Sequence, residues 1–298
     1  MKYLYMISCS LLGGLGNQLF QIFTTIAYSI KLRCKCVFLY EDFTRGCTVR
    51  PTYWNTFLKP IKYMATFPLP PHQILITEKQ FHYEELDLMK IGENENVNLV
   101  GYFQSHKYFD EYRETLFKLI RLEETRAKVL KIYSCLNVGG EKYEQFDQLV
   151  SMHFRIGDYV TYPEVHPILS YDYYYNSLCF IQKKGLTHFN VLYFCEDSNI
   201  DQVNTCITKL QKDFPETQFQ RGPEILEDWQ QIILMSCCRY NVIANSTFSW
   251  FGAYFNIFSD KFVCYPSLWF GKQLGHYVLK DLFPATWHKI AADNTICC

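Results

Sequence analysis

The chain has 298 residues, of which 49 % are apolar, so it can build two hydrophobic cores of ordinary domain size. Its 29 basic and 30 acidic residues nearly balance and leave a net charge of −1. This balance argues against a nucleic-acid-binding protein, because such proteins usually carry a strong basic excess.

The first half of the sequence predicts a strand, a glycine-rich turn and a helix, in that order. An apolar run at 2–10 is typical of a buried strand, and apolar residues recur at helical spacing from Gln18 to about Leu32. Strand, turn and helix in this order open a Rossmann-like unit. Further along we expect a strand at 36–40, an irregular Pro-rich segment at 41–73, a strand at 97–100 and a helical stretch at about 106–134.

The same alternation of strands and helices restarts near residue 145. The expected strands lie at 148–154, 189–195, 241–244 and 262–266, and the expected helices at about 171–184, 199–213, 227–238 and 250–258. Because strands alternate with helices in both halves, we predict an α/β protein with two domains, residues 1–145 and 146–298, each built on a parallel sheet.

The cysteines favour a reducing compartment. There are 13 of them, and their spacing lacks the paired hooks of a structural zinc site. Many stand in apolar stretches, which is typical of buried, reduced thiols, so we expect a cytoplasmic protein. The apolar run at 3–7 is far shorter than the roughly 20 residues that cross a bilayer, and no membrane anchor is expected.

Four polar clusters stand where predicted strands end, at 13–18, 153–158, 195–198 and 245–250. In open α/β sheets, ligands bind beyond the carboxyl ends of the strands. Four clusters in this position indicate a binding site more strongly than any single cluster does.

The cluster at 13–18, GGLGNQ, has the composition of a phosphate-binding turn. Glycines let backbone N–H groups approach phosphate oxygens, and the following helix N-terminus favours an anion. The spacing matches neither a dinucleotide-binding motif nor a Walker A loop, and a tight turn without a ligand is the alternative. The candidate donor-binding residues here are Gly14, Gly16, Asn17 and Gln18.

The cluster at 153–158, HFRIGD, supplies the candidate catalytic residues His153, Arg155 and Asp158. His153 and Arg155 lie on one side of the predicted strand, because strand side chains alternate. Arg155 could grip a diphosphate through two parallel hydrogen bonds and neutralise the charge on a departing nucleotide. Asp158 could orient Arg155 or cap the turn, and a simple surface ion pair between the two is the alternative.

Two further clusters offer polar groups to a nucleotide. The candidates in the segment 245–250 are Asn245, Ser246, Thr247 and Ser249. Hydroxyls at a helix N-terminus either cap the helix or bind phosphate. Glu196 and Asp197 could accept hydrogen bonds from a base or a ribose, or they form a solvated carboxylate pair.

The sequence contains no Asp-x-Asp, the motif through which many sugar-nucleotide transferases hold Mn²⁺ or Mg²⁺. The cation at the diphosphate would then have to be Arg155, together with helix N-termini. We therefore expect neither a metal nor another cofactor.

Together these segments resemble the α-1,2-fucosyltransferase family. Residues 13–21 are similar to its N-terminal signature, 101–109 to its mid-domain segment, 153–159 to its H-x-R-R-G-D-Y motif and 235–250 to its C-terminal block, in family order. The resemblance implies a GT-B fold, in which two facing Rossmann-like domains enclose a cleft. The first domain would bind the acceptor and the second the donor, and the last helix could return to the first domain.

The resemblance also implies an activity: transfer of fucose from GDP-β-L-fucose to a galactoside, in α-1,2 linkage, with inversion and without metal. By this likeness Arg155 holds the diphosphate with support from His153. Asn17 touches the fucose or the phosphates, Ser246 and Thr247 bind phosphate, and Asp197 or Glu196 reads guanine or ribose. The missing membrane anchor separates the chain from Golgi-type enzymes and suggests a bacterial or viral cytoplasmic enzyme.

Three positions depart from the family pattern, since Ile156 replaces the second arginine of the motif, Tyr240 a frequent histidine and Phe251 a frequent tryptophan. The general base is not identified, and Asp158, Glu164 and His166 are the candidates. A transferase with another GDP-sugar or acceptor position, or a non-catalytic protein that binds a sugar nucleotide or glycan, is the alternative. In every case the expected partners are a GDP-sugar and a glycan, not a nucleic acid.

Overall fold

The computed structural model describes residues 6–44, 49–88, 95–136 and 146–292. The chain divides into two compact units: unit 1 is Met1–Glu124 with Tyr277–Pro284, and unit 2 is Thr125–His276 with Ala285–Cys298. The division lies ahead of the predicted boundary at residue 145, which is itself outside the described residues. The late segment that belongs to unit 1, Tyr277–Pro284, consists of turns and bends.

Unit 1 is built on a four-stranded parallel sheet. Its strands and helices are β1 (Met6–Cys9), α1 (Leu15–Leu32), β2 (Lys35–Cys36), β3 (Phe38–Leu39), β4 (Ala65–Thr66), β5 (Gln73–Thr77), β6 (Asn96–Val100) and α2 (Arg113–Leu119). The sheet order is β2-β1-β6-β5, and β3 pairs with β4 in a separate parallel pair. Nearly all of α1 from Leu15 to Ser29 is buried, as expected for a helix in the interior of an α/β layer.

Unit 2 carries a six-stranded parallel sheet. Its strands and helices are β7 (Leu149–His153), α4 (Tyr171–Lys183), β8 (Asn190–Phe194), α5 (Ile200–Asp213), β9 (Phe219–Arg221), α6 (Asp228–Cys237), β10 (Tyr240–Val242), α7 (Thr247–Tyr254), β11 (Val263–Pro266) and β12 (His288–Ile290). The order β12-β11-β10-β7-β8-β9 is that of a doubly wound nucleotide-binding sheet. The predicted α/β class with parallel sheets is confirmed in both units.

The core of unit 2 explains why its strands are nearly continuous apolar runs. All five residues of β7 are buried, because helices cover both faces of a doubly wound sheet. Ile156, just beyond β7, is only 6 % exposed and belongs to the same core cluster. An apolar side chain at this departure from the family pattern is therefore accommodated by packing.

The structure differs from the sequence expectation in a few elements. The helical stretch expected at 106–134 is broken into 3₁₀ turns, α2 and α3 (Leu122–Cys135), with Arg121 in a left-handed conformation (φ +53°) between the two helices. No glycine or proline marks this break. The strands β4, β5, β9 and β12 were not expected. β5 is an exposed edge strand, and the other three have only two or three residues each.

The ten cysteines that the structure describes are free thiols, and half of them are buried. Burial raises the pKa of the Cys34 and Cys206 thiols to about 11. In the described ranges, none of the helices combines the length and the apolar character that a membrane crossing requires.

Candidate functional site

The carboxyl ends of β7 and β10 form the switch point of the unit 2 sheet. These neighbouring strands are followed by connections that run to opposite sides, which opens a crevice beyond their ends. The hydroxyl of Tyr159 donates a hydrogen bond to the carbonyl of Asn245 at 3.0 Å and links the segments that follow the two strands. The clusters predicted at 153–158 and 245–250 therefore meet in the structure.

Arg155 is the cation of this crevice. Its guanidinium donates hydrogen bonds to the carboxylates of Glu196 and Asp158 and lies over the ring of Tyr159, with 5.0 Å between its central carbon and the ring centroid. The side chain is 20 % exposed. Such a guanidinium, partly shielded from water and fixed in orientation, is suited to bind a phosphate group.

Gly157 makes room for the contact between Glu196 and Arg155. Its backbone has φ +34°, and a Cβ at this position would collide with the carboxylate of Glu196. Its N–H donates to the side-chain oxygen of Asn199 at 2.9 Å. A glycine at this position therefore leaves space for the Glu196 carboxylate and adopts the positive φ without a side-chain clash.

His153 ends β7 as a buried and uncharged group. Burial, together with the nearby Arg155, lowers its pKa to about 3, so the imidazole is neutral near pH 7. Its Nδ1 is buried and has no hydrogen-bond partner among the described residues. Its ring centroid lies 5.3 Å from that of Phe248. His153 thus offers packing and a neutral nitrogen to the site, not a second positive charge.

The N-terminus of α7 is held by its own side chains. Ser246 is the N-cap residue, and its hydroxyl accepts a hydrogen bond from the N–H of Phe248 at 3.3 Å. Ser249 is 1 % exposed, and its hydroxyl accepts from the N–H of Ala244 at 3.1 Å. Thr247 is the half-buried first residue of the helix. Both serines therefore have structural hydrogen bonds that shape this helix start.

Asn245 holds two loops at the edge of the crevice. Its side-chain amide donates to the carbonyl of Pro167 at 2.9 Å and to that of Trp269 at 3.2 Å. Its side-chain oxygen is buried without a partner in the part of the chain that the structure describes. The amide orients this residue, and the oxygen keeps an open capacity to accept a hydrogen bond.

Asp197 lies apart from Arg155 in its contacts. Its carboxylate forms an ion pair with Arg221, which also pairs with Glu224. The two adjacent acids that were predicted to bind a base or ribose thus pair with different arginines. Glu196 pairs with Arg155, and Asp197 pairs with Arg221 in β9.

The three candidate bases have different surroundings. Asp158 pairs with Arg155, and Glu164 is exposed. The ring of His166 stacks on Tyr159, with centroids 4.6 Å apart and planes at 17°. Burial, and to a smaller extent Arg155, lowers the pKa of His166, against an opposing effect of Asp158. A neutral imidazole at this place can accept a proton.

In unit 1, the cluster 13–18 is a tightly tied turn after β1. Gly13 has φ +73°, and a Cβ there would collide with the side-chain amide of Asn17. Gly14 is the N-cap of α1, and Gly16 is buried in its first turn. The fully buried Gln18 donates to the carbonyls of Gly13 at 3.0 Å and Pro51 at 2.8 Å. Gln18 therefore braces the turn.

The turn after β6 lies beside that cluster at the switch point of the unit 1 sheet. The side chain of Gln104 donates to that of Asn17 at 3.0 Å, and Gln21 donates to the carbonyl of Gly101 at 3.0 Å. The carboxylate of Glu78 accepts from the N–H of Tyr102 at 2.8 Å, and burial raises its pKa. Gln104 and Glu78 were not among the candidate site residues of the sequence analysis. Gln104 stands in the segment 101–109 that resembles the family, whereas no motif includes Glu78.

Phe103 adds backbone strain to this turn. It is fully buried and has φ +52°, a conformation that side-chain-bearing residues adopt at some cost. Its ring contacts Tyr108 edge-on, with centroids 5.5 Å apart. Packing of this ring and the Glu78 hydrogen bond together hold the turn that carries Gln104.

Across the described ranges, no group of three or more His, Cys, Asp or Glu side chains is placed to hold a metal ion.

Comparison with known proteins gives two full-length relatives in Escherichia coli. The chain is 27 % identical over 300 residues to the O-antigen biosynthesis glycosyltransferase WbnK, which covers 89 % of this chain and 95 % of that protein. It is also 27 % identical over 310 residues to an alpha-1,2-colitosyltransferase, with 94 % and 97 % covered.

Two solved structures are similar at low sequence identity. POFUT1 in complex with GDP aligns at a TM-score of 0.41 and 11 % identity over 96 % of this chain and 98 % of that one. A glycosyl transferase family 9 protein from Veillonella parvula aligns at 0.45 and 11 % over 97 % and 85 %. The family model described as glycosyl transferase family 11 matches residues 37–268. This match covers most of the chain and includes the crevice residues of unit 2, so the chain belongs to glycosyl transferase family 11 and is a glycosyltransferase.

Proposed function

We propose that this glycosyltransferase moves L-fucose from GDP-β-L-fucose to a galactoside hydroxyl, in α-1,2 linkage, with inversion and without metal. The observation that carries the proposal is Arg155, held at the switch point of a doubly wound sheet by Glu196 and Asp158. The motif likeness to α-1,2-fucosyltransferases supports the donor and the linkage. The name of one relative, an alpha-1,2-colitosyltransferase, supports the same linkage.

In this proposal Arg155 replaces a metal ion at the donor diphosphate. Its N–H groups would bind phosphate oxygens in parallel and stabilise the charge that grows on GDP as the glycosidic bond breaks. The N-terminal N–H groups of α7 would add partial positive charge from the adjoining strand. His153 would pack beside this contact as a neutral group.

Inversion requires one displacement at C1 of the sugar, with a base that takes the proton of the acceptor hydroxyl. Asp158, Glu164 and His166 remain the candidates. Of these, His166 has its pKa lowered below the ordinary value, so it is unprotonated near pH 7 and able to accept a proton.

The proposal is tested with GDP-fucose and lactose in the presence of a chelator, followed by separation of the products. A fucosylated product is expected. Replacement Arg155→Ala should lower kcat by about 10²–10³-fold, the usual effect of losing a charge-stabilising donor. Arg155→Lys should restore little, because an ammonium cannot make two parallel hydrogen bonds.

The matched control is Arg239→Ala. Arg239 also pairs with a carboxylate, that of Asp260, but it precedes β10 and so stands at the amino end of that strand. Its loss should leave the rate near that of the wild type. Full transfer by Arg155→Ala would refute the role given to Arg155.

A second candidate donor is a colitose nucleotide, favoured by the name of the relative cited above. Offering both donors to the same enzyme separates the two candidates by the sugar that appears in the product. Tight binding of GDP by this protein without product from either donor would instead support the non-catalytic alternative.

A further inference from the structure

Both terminal nitrogens of the Arg155 guanidinium are already engaged by carboxylates. Nη1 donates to Glu196 and Nη2 donates to Asp158. Paired binding of a phosphate uses two such N–H groups side by side. Each terminal nitrogen keeps a second N–H group, but the two carboxylates together outweigh the single positive charge of Arg155. A diphosphate at this guanidinium therefore meets like-charge repulsion unless one carboxylate moves away.

The two carboxylates are not equally able to leave. Asp158 lies three residues after Arg155, in the 3₁₀ turn Gly157–Thr161 that follows β7, and its short side chain keeps it close. Glu196 comes from the segment after the neighbouring strand β8 and has one more rotatable bond, while the exposed fractions of the two side chains are nearly equal (47 % for Glu196 and 45 % for Asp158). Glu196 can thus turn out into water without movement of the backbone.

The contact of Glu196 with Arg155 is built into the fold. It depends on Gly157, whose missing side chain leaves the space that the Glu196 carboxylate fills. The N–H of Gly157 donates to the side-chain oxygen of Asn199, three residues after Glu196, at 2.9 Å. The segments that follow β7 and β8 are thus tied together beside this carboxylate.

We propose that Glu196 is a displaceable stand-in for the donor diphosphate: it neutralises and orients Arg155 in the free enzyme, and the diphosphate takes its place. This inference rests on the proposed function, because it assumes that Arg155 receives the diphosphate. Glu196 is then a positioning residue, because an anion binds Arg155 only if its attraction to the guanidinium exceeds that of the Glu196 carboxylate. A diphosphate, with its higher charge, passes this requirement more easily than a small monovalent anion does.

The sign of one substitution separates this role from the recognition of ribose or guanine. If Glu196 competes with the diphosphate, Glu196→Gln strengthens GDP binding, because the competing charge is lost. If Glu196 accepts hydrogen bonds from the nucleoside, the same change weakens GDP binding. Guanosine, which has no phosphate, responds only in the second case.

The experiment is calorimetric titration of the full-length enzyme with GDP, with inorganic pyrophosphate and with guanosine. For Glu196→Gln and for Glu196→Ala we expect Kd for GDP and pyrophosphate to fall about two- to fivefold, the range of a partly exposed ion pair. The Kd for guanosine should not change. Asp260→Asn, which removes one carboxylate from the Arg239 pair, is the control and should leave all three Kd values unchanged.

An unchanged or weaker affinity of both Glu196 variants for GDP overturns the inference. Circular dichroism and melting temperature equal to those of the wild type show that the variants are folded. Arg155→Ala in the same titrations distinguishes failure of the inference about Glu196 from failure of the proposed function. Loss of GDP affinity there, without a gain in the Glu196 variants, overturns the stand-in and leaves the proposed function intact. Wild-type affinity of Arg155→Ala for GDP and pyrophosphate overturns both.

Discussion

At the scale of single residues, the site combines one partly shielded cation with two carboxylate partners and two neutral imidazoles. Arg155 carries the positive charge, while burial keeps His153 and His166 on the neutral side of their titrations near pH 7. Two neutral imidazoles beside one guanidinium avoid repulsion between like charges.

The buried His153 makes stability depend on pH. Its pKa is about 3 in the folded protein against an ordinary value of 6.5, so between these values the unfolded chain binds a proton that the folded one does not. The contribution of His153 to the free energy of unfolding is therefore fully present above pH 6.5. It falls as the pH drops, by about 2 kcal/mol at pH 5.

Urea unfolding of the wild type and of His153→Gln between pH 7 and pH 4 measures this contribution. The variant should lose less stability on acidification than the wild type does. His188→Gln, at an exposed position, should follow the wild type and serves as the control. Parallel curves for wild type and His153→Gln would contradict the burial account.

At the scale of elements, turns at strand ends position the polar groups, and close packing shapes these turns. Gly101 is the clearest case, because a Cβ there would collide with Cβ of Glu78, next to the backbone and unable to swing aside. Glu78 in turn holds the N–H of Tyr102. The turn after β6 therefore requires glycine at 101, because Glu78 cannot move away from an added Cβ.

Gly101→Ala should lower the free energy of unfolding of unit 1 by about 1–3 kcal/mol, as for overpacking of a filled site. Gly14→Ala is the matched change, since its Cβ would meet nothing within 4 Å and its backbone is extended (φ −75°, ψ −179°). It should cost less than about 1 kcal/mol, the difference between glycine and alanine as N-caps. Denaturant titration followed by circular dichroism compares the two, and equal losses would contradict the packing argument.

At the scale of the whole molecule, a segment late in the chain completes unit 1. In Tyr277–Pro284, the buried Asp281 pairs with Lys107 at 2.5 Å, and its carbonyl accepts from the hydroxyl of Ser105 at 2.7 Å. Tyr277 stacks on Phe81 with centroids 4.9 Å apart. Unit 1 therefore depends on residues that the chain reaches only after most of unit 2.

Asp281→Asn should destabilise unit 1 by about 1–2 kcal/mol, because it removes a buried charged partner from a hydrogen bond. Glu85→Gln is a suitable control, since the Lys31–Glu85 pair of the same unit is about half exposed on both sides. It should cost under about 1 kcal/mol. Hydrogen exchange of β1 and β6 amides reports the stability of unit 1 alone. Equal protection in both variants would show that the Asp281 contact contributes nothing special.

Most secondary structure could be predicted from local pattern, because the period of apolar residues and the chemistry of turns are local properties. The strands β6, β7, β8 and β11 and the helices α4, α5 and α6 appear within a residue or two of their expected bounds. The break at Arg121 and the short strands β9 and β12 could not be predicted. They carry no local signal and exist because neighbouring elements hold them.

By itself, the sequence determined the α/β class, the polar clusters at strand ends and the presence of one arginine suited to a diphosphate. Only the tertiary structure decided that Arg155 meets Glu196, that Asp197 serves Arg221 and that Gln18 is a fully buried brace. The reason is physical: spacing along a strand or helix specifies which side chains share a face, whereas partners from different strands are set by the order of the sheet. Arg155 and Glu196 lie 41 residues apart, and β7 and β8 bring them together because they are neighbours in that order.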